Sequence, residues 1–275
     1  MKAKIIILTP VYNDWKNLTK LLAQINVIFK KVIKKKFDLI VVNDCSTEKF
    51  NHKMLKLASI NKLTLISLSR NVGSQRALAV GIQHIQRTYK YNYKTIVIDS
   101  DGQDNPEGIK LMIDKNKEKP KFSIVINRGQ RKEPFWFRFF YKTYCILINL
   151  FAFKKINFGN YCLLNSEDIN KIYHKTDLHS AFPPTISINI QKILHITLDR
   201  EKRFTGTSKM NFLGLVFHAF KVFSVFRYRV LFSSIIYLFA CYLLFNEYKN
   251  INLFYVISTI LFIFNCANFL ISYFN

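Results

Sequence analysis

Asp99, Asp101 and Gln103 lie two apart directly behind an apolar stretch at 95–98, in the run Asp99-Ser100-Asp101-Gly102-Gln103-Asp104. Alternating backbone at the end of a strand turns such side chains to one side. Asp99 and Asp101 are therefore expected to share one divalent cation, with Gln103 on the same parity. Mg2+ or Mn2+ is usually held by one or two carboxylates and completed by substrate phosphates and water, which makes a nucleoside diphosphate the natural partner. A cation bridging two phosphates neutralises charge on a departing diphosphate and so assists cleavage of a sugar-to-phosphate bond. The chemistry this points to is sugar transfer.

Other loops carry groups that fit the same ligand. Asp44, behind the apolar run 39–42, can accept a hydrogen bond from a base N–H, and Pro10, Tyr12 and Asp14, behind 5–8, can shape the same pocket. Arg70 and Gly73 stand just ahead of a helix expected from about Ser74, where an anion would face the helix amino terminus. The chain contains neither a P-loop lysine nor a G-x-G-x-x-G run, which removes support from kinase and dinucleotide readings.

The elements that must position these groups follow a simple rhythm. Apolar runs at 5–8, 39–42, 63–68, 95–98 and 123–126 alternate with longer helical stretches. This is the βαβ pattern of a doubly covered parallel sheet. Ligands of such sheets bind beyond the carboxyl ends of the strands, near a topological switch point, and the candidate residues all follow strands. Farther on, 230–245 and 251–274 carry no charge. The second exceeds the roughly 20 apolar residues that cross a bilayer. The first is shorter, but Arg227 and Arg229 can snorkel and let its helix begin earlier. With only 246–250 between them, the pair reads as a transmembrane hairpin. Lys and Arg crowd its amino-terminal flank, which leaves the large domain cytoplasmic. Asn265 and Asn268 are read as interhelical glue, and they would permit a homo-oligomer. Residues 135–153 and 212–226 mix aromatic and aliphatic residues with a few cations, as helices lying in a headgroup plane do.

The 275 residues carry 41 Lys and Arg against 17 Asp and Glu, a formal net charge of +24. That balance suits a polyanionic partner such as nucleic acid, anionic lipid or phosphate. Lys, Asn, Ile, Phe and Tyr are all abundant, so part of it is also what an A/T-rich genome gives. The five cysteines form no CxxC pair, and neither a disulfide framework nor a zinc site is signalled. The apolar run at 5–8 is too short for a signal-peptide core, so the first part of the chain is expected in a reducing cytoplasm.

Taken together, Thr9-Pro10-Val11-Tyr12-Asn13-Asp14, Val42-Asn43-Asp44-Cys45-Ser46, Arg70-Asn71-Val72-Gly73, the Asp99 to Asp104 run, and Arg203-Phe204-Thr205-Gly206-Thr207-Ser208-Lys209-Met210 resemble family 2 glycosyltransferases of the GT-A fold. More narrowly, the chain is similar to the polyprenyl-phosphate glycosyltransferases, the group of dolichyl-phosphate mannose synthase and the bactoprenol glucosyltransferases. The specific part is R-x-x-G-x-S-K followed by an interfacial helix and a two-helix hairpin. The resemblance implies an α/β, Rossmann-like catalytic domain over 1–207, a juxtamembrane amphipathic helix over 208–229 and a transmembrane hairpin over 230–275. It implies that Asp99, Asp101 and Gln103 hold Mg2+ or Mn2+. The nucleoside would meet Asp44 and the Pro10 to Asp14 turn, and phosphate would meet Arg203, Ser208 and Lys209. Arg131 and Arg138 match the arginines that meet the lipid phosphate, and guanidinium forks suit that group.

The chain departs from the group's pattern where Asn43 precedes Asp44, where Ser74-Gln75 replaces a lysine, after Arg138, where the nearest hydroxyl is that of Tyr141, and where Gly159-Asn160-Tyr161 stands for Gly-Asp before an aromatic. A phosphate monoester, with its second pKa near 6, is already ionised and needs no base, whereas a sugar hydroxyl does. The one adjacent acidic pair of the second half, Glu167-Asp168, follows Ser166 at an expected helix start and is read as a cap. The expected reaction is metal-dependent, inverting transfer from a nucleoside diphosphate sugar to undecaprenyl phosphate or a similar lipid phosphate, with no nucleic-acid partner. The alternatives are a membrane-anchored transferase acting on a saccharide hydroxyl and, further off, an inactive membrane scaffold.

Overall fold

The computed structural model describes residues 3–48, 57–129, 135–206, 212–247 and 251–274. Side chains are described from 140 and 213 in the helices that begin at 135 and 212, and as far as 245 in the helix that ends at 247. The chain divides into two compact units, Met1–Arg131 with Asn157–Ser208, and Lys132–Ile156 with Lys209–Asn275.

In the first unit β1 (Lys4–Val11), α1 (Trp15–Ile28), β2 (Phe37–Asn43), β3 (Ile60–Ser67), α2 (Ser74–Thr88), β4 (Tyr93–Val97), α3 (Glu107–Glu118) and β5 (Ser123–Arg128) alternate as the apolar rhythm requires. A short π-helical turn, Phe29–Ile33, extends α1. In the same unit β6 (Phe158–Asn165), α5 (Ser166–Ile172), α6 (Asp177–Ser180), α7 (Phe182–Asn189) and β7 (Ile193–Leu198) follow. Among the described residues the seven strands form one sheet in the order β3-β2-β1-β4-β6-β5-β7. Pairings are parallel except for β6, which runs antiparallel to β4 and to β5. The chain winds outward from β1 through β2 to β3, then returns to place β4 on the other side of β1. The carboxyl ends of β1 and β4 thus flank the switch point.

Burial explains the strands. Ile6, Ile7, Leu8, Leu39, Val41, Ile96 and Ile124 are fully buried, because helices cover both faces. Leu18, Leu21, Leu22 and Ile25 of α1 and Ile109 and Met112 of α3 close one face. On the other, α2 approaches β1 so closely at Gly81 that an added Cβ would meet Leu8 Cδ1 at 2.4 Å.

The second unit holds α4 (Phe135–Ala152), α8 (Phe212–Val225), α9 (Arg227–Glu247) and α10 (Ile251–Tyr273). The helix at 135–152, counted with the catalytic domain from sequence, packs with the carboxyl-terminal helices instead. Two helices, Arg227–Phe245 and Ile251–Tyr273, are long and apolar enough to cross a membrane. The first does begin at Arg227. The last carbonyls of α4, orphaned by helix geometry, accept from α9: Arg229 Nη1 to Ala152 O at 3.3 Å, Ser233 Oγ to Phe151 O at 3.0 Å and Tyr237 OH to Leu150 O at 2.6 Å. Phe264 of α10 meets the rings of Phe151, Phe220 and Phe223 edge-on. Asn265 joins α10 to α9 through Ser234 Oγ at 2.9 Å. Asn268 donates within its own helix, to Phe264 O.

Candidate active site

The site is built from the loops behind β1, β2 and β4 and the segment behind β7. Strand β1 runs further than expected. Pro10 lies inside it, paired with Val42 of β2, so only Tyr12 to Asp14 form the turn. Tyr12 is exposed. Asn13 takes a left-handed φ of +47°, and its Oδ1 accepts from the backbone N–H of Thr47 and Glu48, lacing the first loop to the second. Asp14 is at the start of α1, yet its carboxylate faces Asn17 Nδ2 at 2.7 Å and pairs with the Arg203 guanidinium.

Asp44 is buried, and both its oxygens are engaged, by Val72 N–H at 2.7 Å and Gly73 N–H at 2.9 Å. It pins the loop that starts α2, with one backbone N–H on each oxygen. The expected anion site at that helix start is thereby met by the protein's own carboxylate, while Arg70 is exposed beside it.

The expected strand-end geometry of the acidic run is corrected. The last rung to β1 is Ile98 N–H to Leu8 O, at 3.1 Å, and β4 itself ends at Val97. Asp99 to Asp104 form a turn in which Gly102 has a φ of +78°, so the turn, not strand alternation, gathers the carboxylates. Asp101 accepts from Gln103 N–H at 3.0 Å and from Arg203 Nη1 at 3.4 Å. Asp104 accepts from Asp99 N–H at 3.3 Å, and Asp99 Oδ1 accepts from Asn160 Nδ2 at 3.0 Å.

Electrostatics mark this turn. Burial first, then the charge of Asp101, raises the Asp99 carboxyl above the usual range, and Asn160, Arg200 and Arg128 pull it back. Burial and then Asp99 push Asp104 up to about 7, against Arg200 and Arg128. Burial and mutual repulsion both disfavour the ionised carboxylates, and a cation placed among them would favour that form. Among the described residues no three His, Cys, Asp or Glu side chains are placed to enclose a metal ion. A divalent ion would draw on one or two carboxylates and on ligand phosphates, as Mg2+ and Mn2+ do.

The segment behind β7 straps the turn. Glu201 N–H donates to Gln103 O at 2.9 Å and Phe204 N–H to Asp101 O at 3.3 Å. The Phe204 ring lies on Gly102, where an added Cβ would meet it at 2.3 Å. Arg203 reaches Asp14 and Asp101 at once. Thr205 Oγ1 donates to Asn17 Oδ1 at 2.6 Å. Beside the strap opens a small cleft lined by Asp104, Arg128, Tyr161, Asp199 and Arg200 among others. Arg200 Nε is buried without a hydrogen-bond partner among the described residues.

Arg131, Ser208 and Lys209 lie outside the described residues, as does the Arg138 side chain in α4. Asp168 is buried and accepts from Ser123 Oγ at 2.6 Å and Lys171 Nζ at 2.7 Å; it ties α5 to β5, and α5 has no side-chain cap bond at its start. Sequence reasoning missed Asn17, Asp104, Arg128 and Arg200, and it met Gln75 and Asn160 only as departures from a pattern. Asp104 ends the acidic run, and each of the others is a polar residue one or two places from an apolar residue or inside an apolar run, a signal too common to single them out.

A mostly parallel sheet with an acidic turn at its switch point is the architecture of a GT-A glycosyltransferase. Residues 6–180 match the family described as Glycosyl transferase family 2, and the chain belongs to that family. An uncharacterized glycosyltransferase of Synechocystis sp. is 28% identical over 218 residues, 78% of this chain and 67% of the relative. Among solved structures, mannosyl-3-phosphoglycerate synthase from Rubrobacter xylanophilus aligns with a TM-score of 0.58 at 14% identity, over 83% of this chain and 74% of that one. Glucosyl-3-phosphoglycerate synthase from Mycobacterium tuberculosis, in complex with Mn2+, UDP and glucosyl-3-phosphoglycerate, aligns at 0.55 with 12% identity, over 83% and 80%. TarS of S. aureus aligns at 0.53 with 19% identity, over 83% of this chain but only 40% of TarS. At these identities the structures share the GT-A fold.

Proposed function

We propose that this glycosyltransferase moves a sugar from a nucleoside diphosphate sugar onto a polyprenyl phosphate, of which undecaprenyl phosphate is the type, at the cytoplasmic face of a membrane. The observation that carries the reading is the joining, in one chain, of a family 2 catalytic unit to two helices long and apolar enough to cross a bilayer. An acceptor that resides in the membrane is the substrate such an attachment serves. The positive flank of the hairpin supports the cytoplasmic side.

Asp99 and Asp101, with Gln103, are the residues that would hold Mg2+ or Mn2+. When bound, such a cation neutralises the diphosphate as it departs. The Pro10 to Asp14 segment and the Asp44-pinned loop receive the nucleoside, Arg70 and Gly73 standing at that loop's edge. Arg203 exchanges its carboxylate partners for the diphosphate, joined by Ser208 and Lys209. Arg128 and Arg200 in the cleft supply guanidinium groups for the acceptor phosphate. Arg131 and Arg138 are assigned to the same phosphate on the sequence pattern alone. A phosphate oxygen attacks the anomeric carbon in line. The new C1–O bond forms as the bond to the nucleoside diphosphate breaks, with inversion and with no proton to remove.

A saccharide hydroxyl is the second reading, favoured by Asp104, a carboxylate in the cleft wall that can take a proton. The test is the full chain in nanodiscs with undecaprenyl phosphate, Mn2+ or Mg2+, and a panel of labelled nucleotide sugars. Label entering the organic phase from one donor, and only with metal, is expected. Donor binding without transfer to lipid phosphate would move the weight to a hydroxyl acceptor.

A further inference from the structure

A directed line of hydrogen bonds, separate from the Arg203 clamp, ends on Asp99. It starts at the backbone N–H of Phe182, the first residue of α7, which donates to Gln75 Oε1 at 2.7 Å. A backbone N–H can only donate, so the Gln75 oxygen must face it and the Gln75 NH2 must point the other way. That NH2 donates to Asn160 Oδ1 at 3.2 Å. With its oxygen so engaged, Asn160 turns its own NH2 to Asp99 Oδ1, at 3.0 Å. The orientation of both amides follows from the fixed donor at the far end, independently of how amide oxygen and nitrogen are assigned. The line joins α2, β6 and α7. Phe182 is fully buried and Asn160 only 9% exposed, so water competes weakly for its bonds.

Asp99 stands against Asp101 and Asp104, and a flipped Asn160 would add a carbonyl oxygen to this repulsion. We propose that Gln75 and Asn160 are positioning residues: they tie one oxygen of Asp99 and leave the other directed at the cation that accompanies the nucleotide donor. The proposal rests on the reading that Asp99 meets that cation. Outer hydrogen bonds of this kind orient a ligand carboxylate, and their loss typically costs 10- to 100-fold in metal affinity.

Gln75→Glu separates this role from a merely structural one. The substituted side chain has the same length, and one of its oxygens still accepts from Phe182 N–H. Its other oxygen accepts as well, so Asn160 turns its NH2 toward residue 75 and presents Oδ1 to Asp99. The bonds from Phe182 to residue 75 and between residues 75 and 160 are kept, while the bond to Asp99 is replaced by a contact between two acceptor oxygens. The measurement is Mn2+ binding to the full chain in detergent with saturating UDP or GDP, whichever shifts the thermal midpoint, read from the electron paramagnetic resonance signal of free Mn2+. The expected result is an affinity lowered about tenfold with a thermal midpoint within about 2 °C of the parent. Asn160→Leu, close in volume, removes the donor without adding an oxygen and should lower the affinity less. Wild-type affinity in Gln75→Glu, while Asp99→Asn abolishes binding, would overturn the relay and leave the site intact. Wild-type affinity in Asp99→Asn would instead overturn the reading of Asp99, and the relay with it. Should Gln75→Glu melt many degrees lower, Asn160→Leu decides, and an unchanged affinity there overturns the proposal.

Discussion

Arg203→Ala perturbs the most connected group of the site, and its effects on stability and on cation affinity have opposite signs. The Arg203 side chain is 20% exposed, and its partners Asp14 and Asp101 are 14% and 16% exposed. A hydrogen bond to a charged group contributes about 1.5–3 kcal/mol. The Asp101 pair, at 3.4 Å, belongs at or below the lower end. Truncation orphans neither carboxylate, because Asp14 keeps Asn17 and Asp101 keeps the Gln103 N–H. A loss of about 2–3 kcal/mol follows, roughly 5–10 °C in the melting temperature at about 2–4 °C per kcal/mol. Yet the guanidinium stands where it opposes a divalent cation. A positive charge within a few ångströms of such an ion costs more than about 1 kcal/mol even at a high effective dielectric. Its removal should raise affinity for Mn2+ alone about tenfold. Transfer should nonetheless fall about 100- to 1,000-fold, as when a preorganised donor to developing charge is lost. Differential scanning fluorimetry and Mn2+ titration without nucleotide read the first two effects. A variant that loses Mn2+ affinity together with stability would refute the view that Arg203 and the cation compete for Asp101.

Three further outcomes follow from named contacts. Asp38 is buried among Asn61, Tyr89 and Lys4, and although burial, its largest influence, raises its carboxyl, these partners together lower it below 3.8. Its stabilisation is therefore complete above the unfolded value near 3.9 and is lost as pH falls through the lower folded value. Acid unfolding followed by circular dichroism should show this step, and Asp38→Asn should remove it while costing about 1–3 kcal/mol at neutral pH. Gly102→Ala places a methyl into the Phe204 ring at a φ of +78°. It should lower the melting temperature and reduce transfer more than tenfold, whereas Gly206→Ala, whose added Cβ meets nothing within 4 Å among the described residues at a similar φ, should cost backbone strain alone; equal losses in the two would contradict the strap. Tyr237→Phe leaves Leu150 O without its donor and should lower resistance to detergent unfolding by about 0.6–1.7 kcal/mol, with no change if α4 is held by its apolar face alone.

Much of this was legible before any coordinates. β1 to β5 announce themselves because helices cover both faces of the sheet, so Ile5 to Leu8 or Leu39 to Val42 read as unbroken apolar runs. β6 is as buried, but Gly159 and Asn160 interrupt its run. β7 alternates half-buried and exposed residues, with His195 and Thr197 on the wetter side, and resembles a loop in composition. The acidic turn stood out by residue type, and Arg203 by the R-x-x-G-x-S-K run that carries the family resemblance. Their pairing did not, since Arg203 meets Asp14 from 189 positions away and local spacing carries nothing of that distance. For the same reason the two backbone N–H groups that a neighbouring loop supplies to Asp44 were not legible. The departures at Gln75 and Asn160 gained meaning only when the fold placed one against the other.

The central claim, a lipid phosphate as acceptor, is tested most directly by the bond that is made. The organic-phase product formed by the full chain in nanodiscs should show by mass spectrometry the acceptor lipid plus one sugar. Its phosphorus resonance should be that of a phosphodiester, and Asp101→Asn should abolish it. A product in which the sugar joins a saccharide hydroxyl, with the phosphate monoester resonance unchanged, would contradict the account.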